Sequence, residues 1–149
     1  MNIKAKLASI QKVFLDTAPI IYYVEQNTTY FSRANPIFEA IDQGLLSAVT
    51  SPITLAECLI FPIRLNQLPF IETFRSLIIH AENTQFVEIN EIIGHQAAEL
   101  RVQYNLTLTD ALQIATAQHV DCDAFLTNDI QLKRVQSIEV LCLQDFEYE

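Results

Sequence analysis

Four acidic residues in this 149-residue sequence fall at one kind of place. Asp16 follows the apolar run Val13, Phe14 and Leu15, and Asp129 follows the run from Ala124 to Leu126. Each then leads into a stretch with helical character. Glu57 and Asp110 lie in the first turn or two of further predicted helices. In open parallel sheets, ligands gather beyond the carboxyl ends of strands, where loops lead into helix N-termini, so all four acids are placed to meet in one cleft. Two carboxylates ~4 Å apart repel by roughly 4 kcal/mol at an effective dielectric of ~20. Four together must therefore share protons or hold cations. Without His or Cys in the set, the expected ions are hard ones, Mg²⁺ or Mn²⁺, rather than zinc. Water on such an ion becomes acidic enough to serve as a nucleophile near neutral pH.

Each acid also has a plainer reading. Asp16 and Asp129 suit helix N-caps, Asp110 suits the positive end of a helix dipole, and Thr54 with Glu57 matches a capping box. Capping demands no particular set of four helices, however, and does not account for the residues flanking the acids.

The elements that must position these acids follow from pattern. Val13 to Leu15 reads as a strand and Pro19 to Glu25 as a helix with Pro in its first turn. Asn35 and Pro36 open a second helix, with Ile37, Phe38 and Ile41 on one face, ended by Gly44. Leu45 to Val49 reads as a second strand. A helix from Ser51 and Pro52 carries Glu57 and should kink or end at Pro62, and Phe70 to Ala81 is helical again. Phe86, Val87 and Ile89 suggest a third strand. Asn90 caps a helix whose inner face uses Ile93, Ala97, Leu100 and Tyr104. Asp110 starts an Ala-rich helix through His119, Ala124 to Leu126 forms a fourth strand, Asp129 opens a short helix, and Ile138 to Leu143 is a final strand. Such alternation predicts an α/β fold, a three-layer α/β/α domain around a central, mostly parallel sheet, with residues 1–149 as one domain.

Composition narrows the function. Half the residues are hydrophobic, which is ample for a core. A net charge of −9 disfavours a general RNA-coating role, because phosphate binding draws on clustered Lys and Arg. It leaves room for a small cleft in which divalent ions bring the positive charge. The mean hydropathy of +0.20 is high for so short a chain and points to apolar surface covered by a second subunit or partner. No apolar stretch is long enough for a signal peptide or membrane span, which leads us to expect a cytoplasmic protein. The three cysteines, Cys58, Cys122 and Cys142, are odd in number and widely spaced, as expected of reduced thiols. His119 and Cys122 lack the second ligand pair that zinc needs. With only Gly44 and Gly94, the chain has no phosphate-binding glycine loop. Lys133 and Arg134, one helical turn after Asp129, and Arg64, about two turns after Glu57, are the expected phosphate contacts, although the first two equally suit a helix C-terminus. Tyr22, Tyr23, Tyr30 and Phe31 read as core packing or as a groove for a partner helix, and neighbouring Tyr22 and Tyr23 must face different ways.

The segments around the acids carry a resemblance. Phe14-Leu15-Asp16-Thr17, Ile53-Thr54-Leu55-Ala56-Glu57, the run from Leu108 to Ala115, and Phe125-Leu126-Thr127-Asn128-Asp129 resemble, in order, the four signature blocks of PIN-domain ribonucleases, especially VapC-type toxins. The match spans nearly the whole chain, and its specific part is Thr109-Asp110-Ala111 with Leu126-Thr127-Asn128-Asp129. The resemblance implies that Asp16, Glu57, Asp110 and Asp129 bind Mg²⁺ or Mn²⁺. It also implies that Thr127, and more weakly Thr17, helps place a water or phosphate, and that RNA is cut to a 5′-phosphate and a 3′-hydroxyl. It further implies a small antitoxin protein as partner and a homodimer. Ala18 departs from the commoner Asn or Ser, removing one hydrogen bond next to the metal site. The competing expectation is a PIN-like module that binds RNA or protein without cleaving. A haloacid-dehalogenase-like phosphatase wants Asp where this chain has Ala18.

Overall fold

The structure, a computed structural model, describes residues 1–147; Tyr148 and Glu149, the end of the span expected as one domain, lie outside the described residues. Five parallel strands form a single sheet in the order β3-β2-β1-β4-β5. These are β1 (Lys12–Leu15), β2 (Ser47–Thr50), β3 (Thr84–Phe86), β4 (Ala124–Thr127) and β5 (Glu139–Cys142). Parallel neighbours require crossovers, and helices supply them. The chain builds outward from β1 to β3, then returns to lay β4 on the other side of β1. The strand order therefore reverses beside β1, and the crevice at such a point is where ligands bind in open sheets.

Period-two alternation splits the strands between two cores. Val13, Leu15, Ala48, Leu126 and Leu141 face one layer, made from α1 (Ile3–Leu7), α2 (Thr17–Val24), α3 (Phe31–Asp42), α4 (Pro52–Arg64) and α5 (Leu68–Arg75). Phe14, Val49 and Phe125 face the other, made from α6 (Glu91–Tyr104) and α7 (Leu108–His119). Phe14 and Phe125 are register partners, and their rings stack 5.1 Å apart with planes 2° from parallel. The three-layer α/β/α architecture is thus present, with an all-parallel sheet.

Several boundaries differ from expectation. Asn2 caps an unforeseen helix, α1, by accepting from the Ala5 amide. Helix α3 starts at Phe31, and Pro36 lies inside it. The start signal is Asn27, whose Oδ1 accepts from the Thr29 and Tyr30 amides. Leu45 and Leu46 belong to the turn after α3, because both amides bond to the Ala40 carbonyl and Gly44 takes φ +74°. Helix α4 runs two residues past Pro62 to Arg64, and Ser76–His80 closes α5 with a π-helical turn. β3 is earlier than expected because its register on β2 pairs Thr84 with Ala48 and Phe86 with Thr50.

Candidate active site

Each acid reaches the carboxyl rim of the sheet by a different local device. Asp16 is the residue after β1, held there by its amide bond to the Leu126 carbonyl at 3.0 Å. It occupies the N-cap position of α2, yet its side chain makes no capping hydrogen bond. Glu57 lies two turns into α4, whose cap is Ser51, so the expected capping box with Thr54 is not formed. The Glu57 carboxylate instead accepts from the Thr17 hydroxyl at 2.9 Å. Asp110 is the third residue of α7, which begins at Leu108 rather than Asp110 because Thr107 is its cap and accepts from the Asp110 amide at 3.2 Å. Asp129 alone of the four fulfils the capping role: its side chain accepts from the Gln131 amide at 3.0 Å, at the start of the 3₁₀ turn Ile130–Arg134.

Thr127 ties two of these acids together. Fully buried at the end of β4, its hydroxyl donates to Asp16 Oδ2 at 2.8 Å and accepts from the Asp129 amide at 3.1 Å. A hydroxyl committed on both sides fixes the carboxylate's orientation. Asp110 and Asp129 line a hollow of about 510 Å³ together with Thr107, Gln131 and Arg134.

The electrostatics show which acids share a field. Burial pushes the Asp16 carboxyl from 3.8 up to about 6, against hydrogen bonds from Thr17 and Thr127, and the charges of Asp110 and Glu57 add to the rise. Burial likewise raises Asp110, opposed by its Thr107 bond and assisted by the charge of Asp129. Asp16 thus senses Glu57 and Asp110, and Asp110 senses Asp129. Among the described residues, no three His, Cys, Asp or Glu side chains stand close enough to form a finished metal cage. The donor set nevertheless suits a hard cation. It consists of carboxylate and hydroxyl oxygens, while the nearby thiols of Cys58 and Cys142 turn toward the backbone carbonyls of Thr17 and Asp129. Burial raises both thiols.

The expected phosphate contacts are otherwise engaged. Lys133 pairs with Asp145. Arg134 donates to the carbonyls of Tyr104 and Asn105, each at 2.7 Å, and so locks the loop between α6 and α7. Arg64 lies 5.3 Å from the Phe61 ring centroid. Tyr22 stacks on Tyr30 and Tyr23 on Phe38, so the two neighbours do face apart, packed against the core.

Sequence reasoning missed Ser51 and Gln113, and saw Thr54 only as a cap. All three are fully buried and hydrogen-bonded in series, Ser51 to Gln113 and Gln113 to Thr54, beneath the acids. The available signal was a glutamine on the Ala-rich face of α7, where an apolar residue would ordinarily sit.

Comparison with curated proteins gave no match. The family model described as PIN domain matches residues 13–138. Among solved structures, a chain of VapBC2 from Rickettsia felis bound to a promoter DNA fragment superposes with a TM-score of 0.68 at 17% identity, covering 89% of this chain and 98% of that one. A chain of FitAcB from Neisseria gonorrhoeae gives 0.69 at 15%, covering 89% and 98%. VapC20 of Mycobacterium tuberculosis, a sarcin-ricin loop cleaving toxin, gives 0.62 at 14%, covering 76% and 86%. These likenesses show a shared fold. With the family model spanning both strand ends that carry Asp16 and Asp129, this chain belongs to the PIN domain family.

Proposed function

We propose that this protein is a Mg²⁺- or Mn²⁺-dependent endoribonuclease, and that it acts in the cytoplasm as the toxin of a toxin-antitoxin pair. The observation that carries this reading is the coupling of acids from four separate segments at the strand-order reversal, with Asp16 raised to about 6. Like charge held together in a partly buried place calls for a cation, and capping alone leaves that cost unexplained.

Asp16, Glu57, Asp110 and Asp129 would hold the ion, Asp16 oriented by the Thr127 hydroxyl and Glu57 by the Thr17 hydroxyl. When bound, a divalent ion supplies a water acidic enough to attack phosphorus at neutral pH and offsets the charge of the phosphate. Ala18 offers no polar atom beside Asp16, so Thr17 and Thr127 carry the positioning of this corner. A small antitoxin and a second copy of the chain are the partners this reading expects. Exposed Ile60, Phe61, Ile63, Leu65 and Leu68, grouped where α4 meets α5, support a covered apolar surface. The solved relatives include toxin-antitoxin complexes, and the free cysteines suit a reducing compartment. No helix among the described residues is long and apolar enough to cross a membrane.

The competing reading is a PIN-like module that binds RNA or protein without cutting it. Purified protein incubated with RNA and Mn²⁺ or Mg²⁺, beside Asp16→Asn and an EDTA control, separates the two. Cleavage lost in both controls supports the nuclease. Equal cleavage by both proteins exposes a contaminant, and intact RNA in every lane favours the binding module.

A further inference from the structure

Beneath the acids runs a line of buried polar groups that the proposed chemistry does not itself use. The Ser51 hydroxyl, which caps α4 by accepting from the Ile53 amide at 3.1 Å, donates to Gln113 Oε1. Gln113 Nε2 donates to Thr54 Oγ1 at 2.7 Å, and the Thr54 hydroxyl donates to the Leu15 carbonyl at 3.2 Å. Each hydroxyl and the Gln113 amide nitrogen in the line donates to an acceptor, and Ser51, Thr54 and Gln113 are each at most 1% exposed.

The line meets the acid-bearing segments at three points. Leu15 directly precedes Asp16, Thr54 stands one helical turn before Glu57, and Gln113 stands one turn after Asp110. Residues three apart share a helix face, so Thr54 and Gln113 each lie on the same helix face as an acid. Asp129 lies outside this line but is tied to Asp16 through Thr127. Elements carrying like charges tend to separate, and a fully satisfied buried network holds one arrangement where an apolar contact tolerates several.

We propose that Ser51, Thr54 and Gln113 are positioning residues that fasten the segments carrying Asp16, Glu57 and Asp110 to one another, so that the three acids can serve one divalent cation. The proposal rests on the metal-dependent reading above. Its test uses the full chain in three variants: Thr54→Val and Gln113→Met, which keep shape and remove hydrogen bonds, and Thr54→Ser, which keeps the hydroxyl. Two measurements are made. Amide hydrogen exchange without metal reports on Asp16, bonded to the Leu126 carbonyl, and on Ala111, bonded to the Thr107 carbonyl. Calorimetric titration with Mn²⁺ alone, without RNA, reports on the acids.

Thr54→Val should speed exchange at both Asp16 and Ala111 by about fivefold, although Ala111 lies on another helix. It should also weaken Mn²⁺ binding about tenfold, with Thr54→Ser close to wild type and Gln113→Met matching Thr54→Val. Faster exchange confined to α4, or unchanged Mn²⁺ affinity in either folded apolar variant, overturns the proposal. Should Thr54→Val not fold, Gln113→Met decides by the same two readouts. A wild type that binds no Mn²⁺ sinks the metal reading, and exchange at Asp16 and Ala111 then judges the network separately.

Discussion

Replacing Asp16 with Asn should stabilise the metal-free protein at neutral pH while removing a site acid. Burial is the main reason the Asp16 carboxyl moves from 3.8 to about 6. Ionising it in the fold therefore costs about 3 kcal/mol more than ionising it in the unfolded chain. A carboxyl raised in the folded state binds its proton more tightly there than when unfolded. Its contribution is neutral below about pH 4, becomes destabilising as the pH climbs to about 6, and stays fully destabilising above that. Asn keeps the shape and an acceptor for the Thr127 hydroxyl, and has no charge to desolvate. Urea unfolding of both proteins in EDTA should show the difference in favour of Asn growing by about 2–3 kcal/mol between about pH 4 and about pH 7.5. Adding Mn²⁺ at about a hundred times its Kd should stabilise wild type by about 2.7 kcal/mol and the variant by much less. A difference that stays constant with pH, or one that shrinks as pH rises, would show that burial is not what perturbs Asp16.

Thr127→Val removes the hydroxyl bonded to Asp16 at 2.8 Å, a charge-assisted contact of about 1.5–3 kcal/mol. The Asp16 midpoint, followed by carbon-detected NMR titration, should then move upward from about 6, and an unchanged midpoint would contradict this. Arg134→Ala releases the carbonyls of Tyr104 and Asn105, so urea unfolding should register a loss of about 1–3 kcal/mol. Replacing exposed Phe61 and Leu65 together with Ser should leave stability within about 0.5 kcal/mol while weakening capture of a co-expressed antitoxin. Full capture by that double variant would place the partner elsewhere.

The layers were legible because strand and helix periodicities differ and because short apolar runs here are true core strands, as Phe14 and Phe125 show by stacking across the sheet. Boundaries were less legible where proline misled. Pro36 marks a helix start only by statistics, and the Asn27 side chain outweighs it by satisfying two amides upstream. Asp16 and Asp129 were visible as residues following strands and Glu57 and Asp110 as acids in the first turns of helices, but their hydrogen-bond partners were not. Whether Glu57 completes a capping box or accepts from Thr17 depends on where α4 begins, and that is set by Ser51, three residues before Thr54. The Ser51–Thr54–Gln113 line joins residues about 60 positions apart. Local pattern carries no trace of such a pairing beyond one glutamine on an apolar helix face.

Charge supplies the remaining constraint. Of the nine Lys and Arg residues, most are committed within the fold. Lys6 pairs with Glu139, Lys133 with Asp145, and Lys12 donates to the Val120 carbonyl. Arg101 and Arg134 close carbonyls at the end of α6, and Arg33 and Arg64 lie over aromatic rings. These groups stabilise turns and helix ends, so few remain to meet a phosphate. A polyanion approaching the protein meets a net charge of −9. The nuclease proposed above would therefore draw its attraction for a phosphate from a bound cation, and the acids coupled at the strand-order reversal are the groups that would hold it.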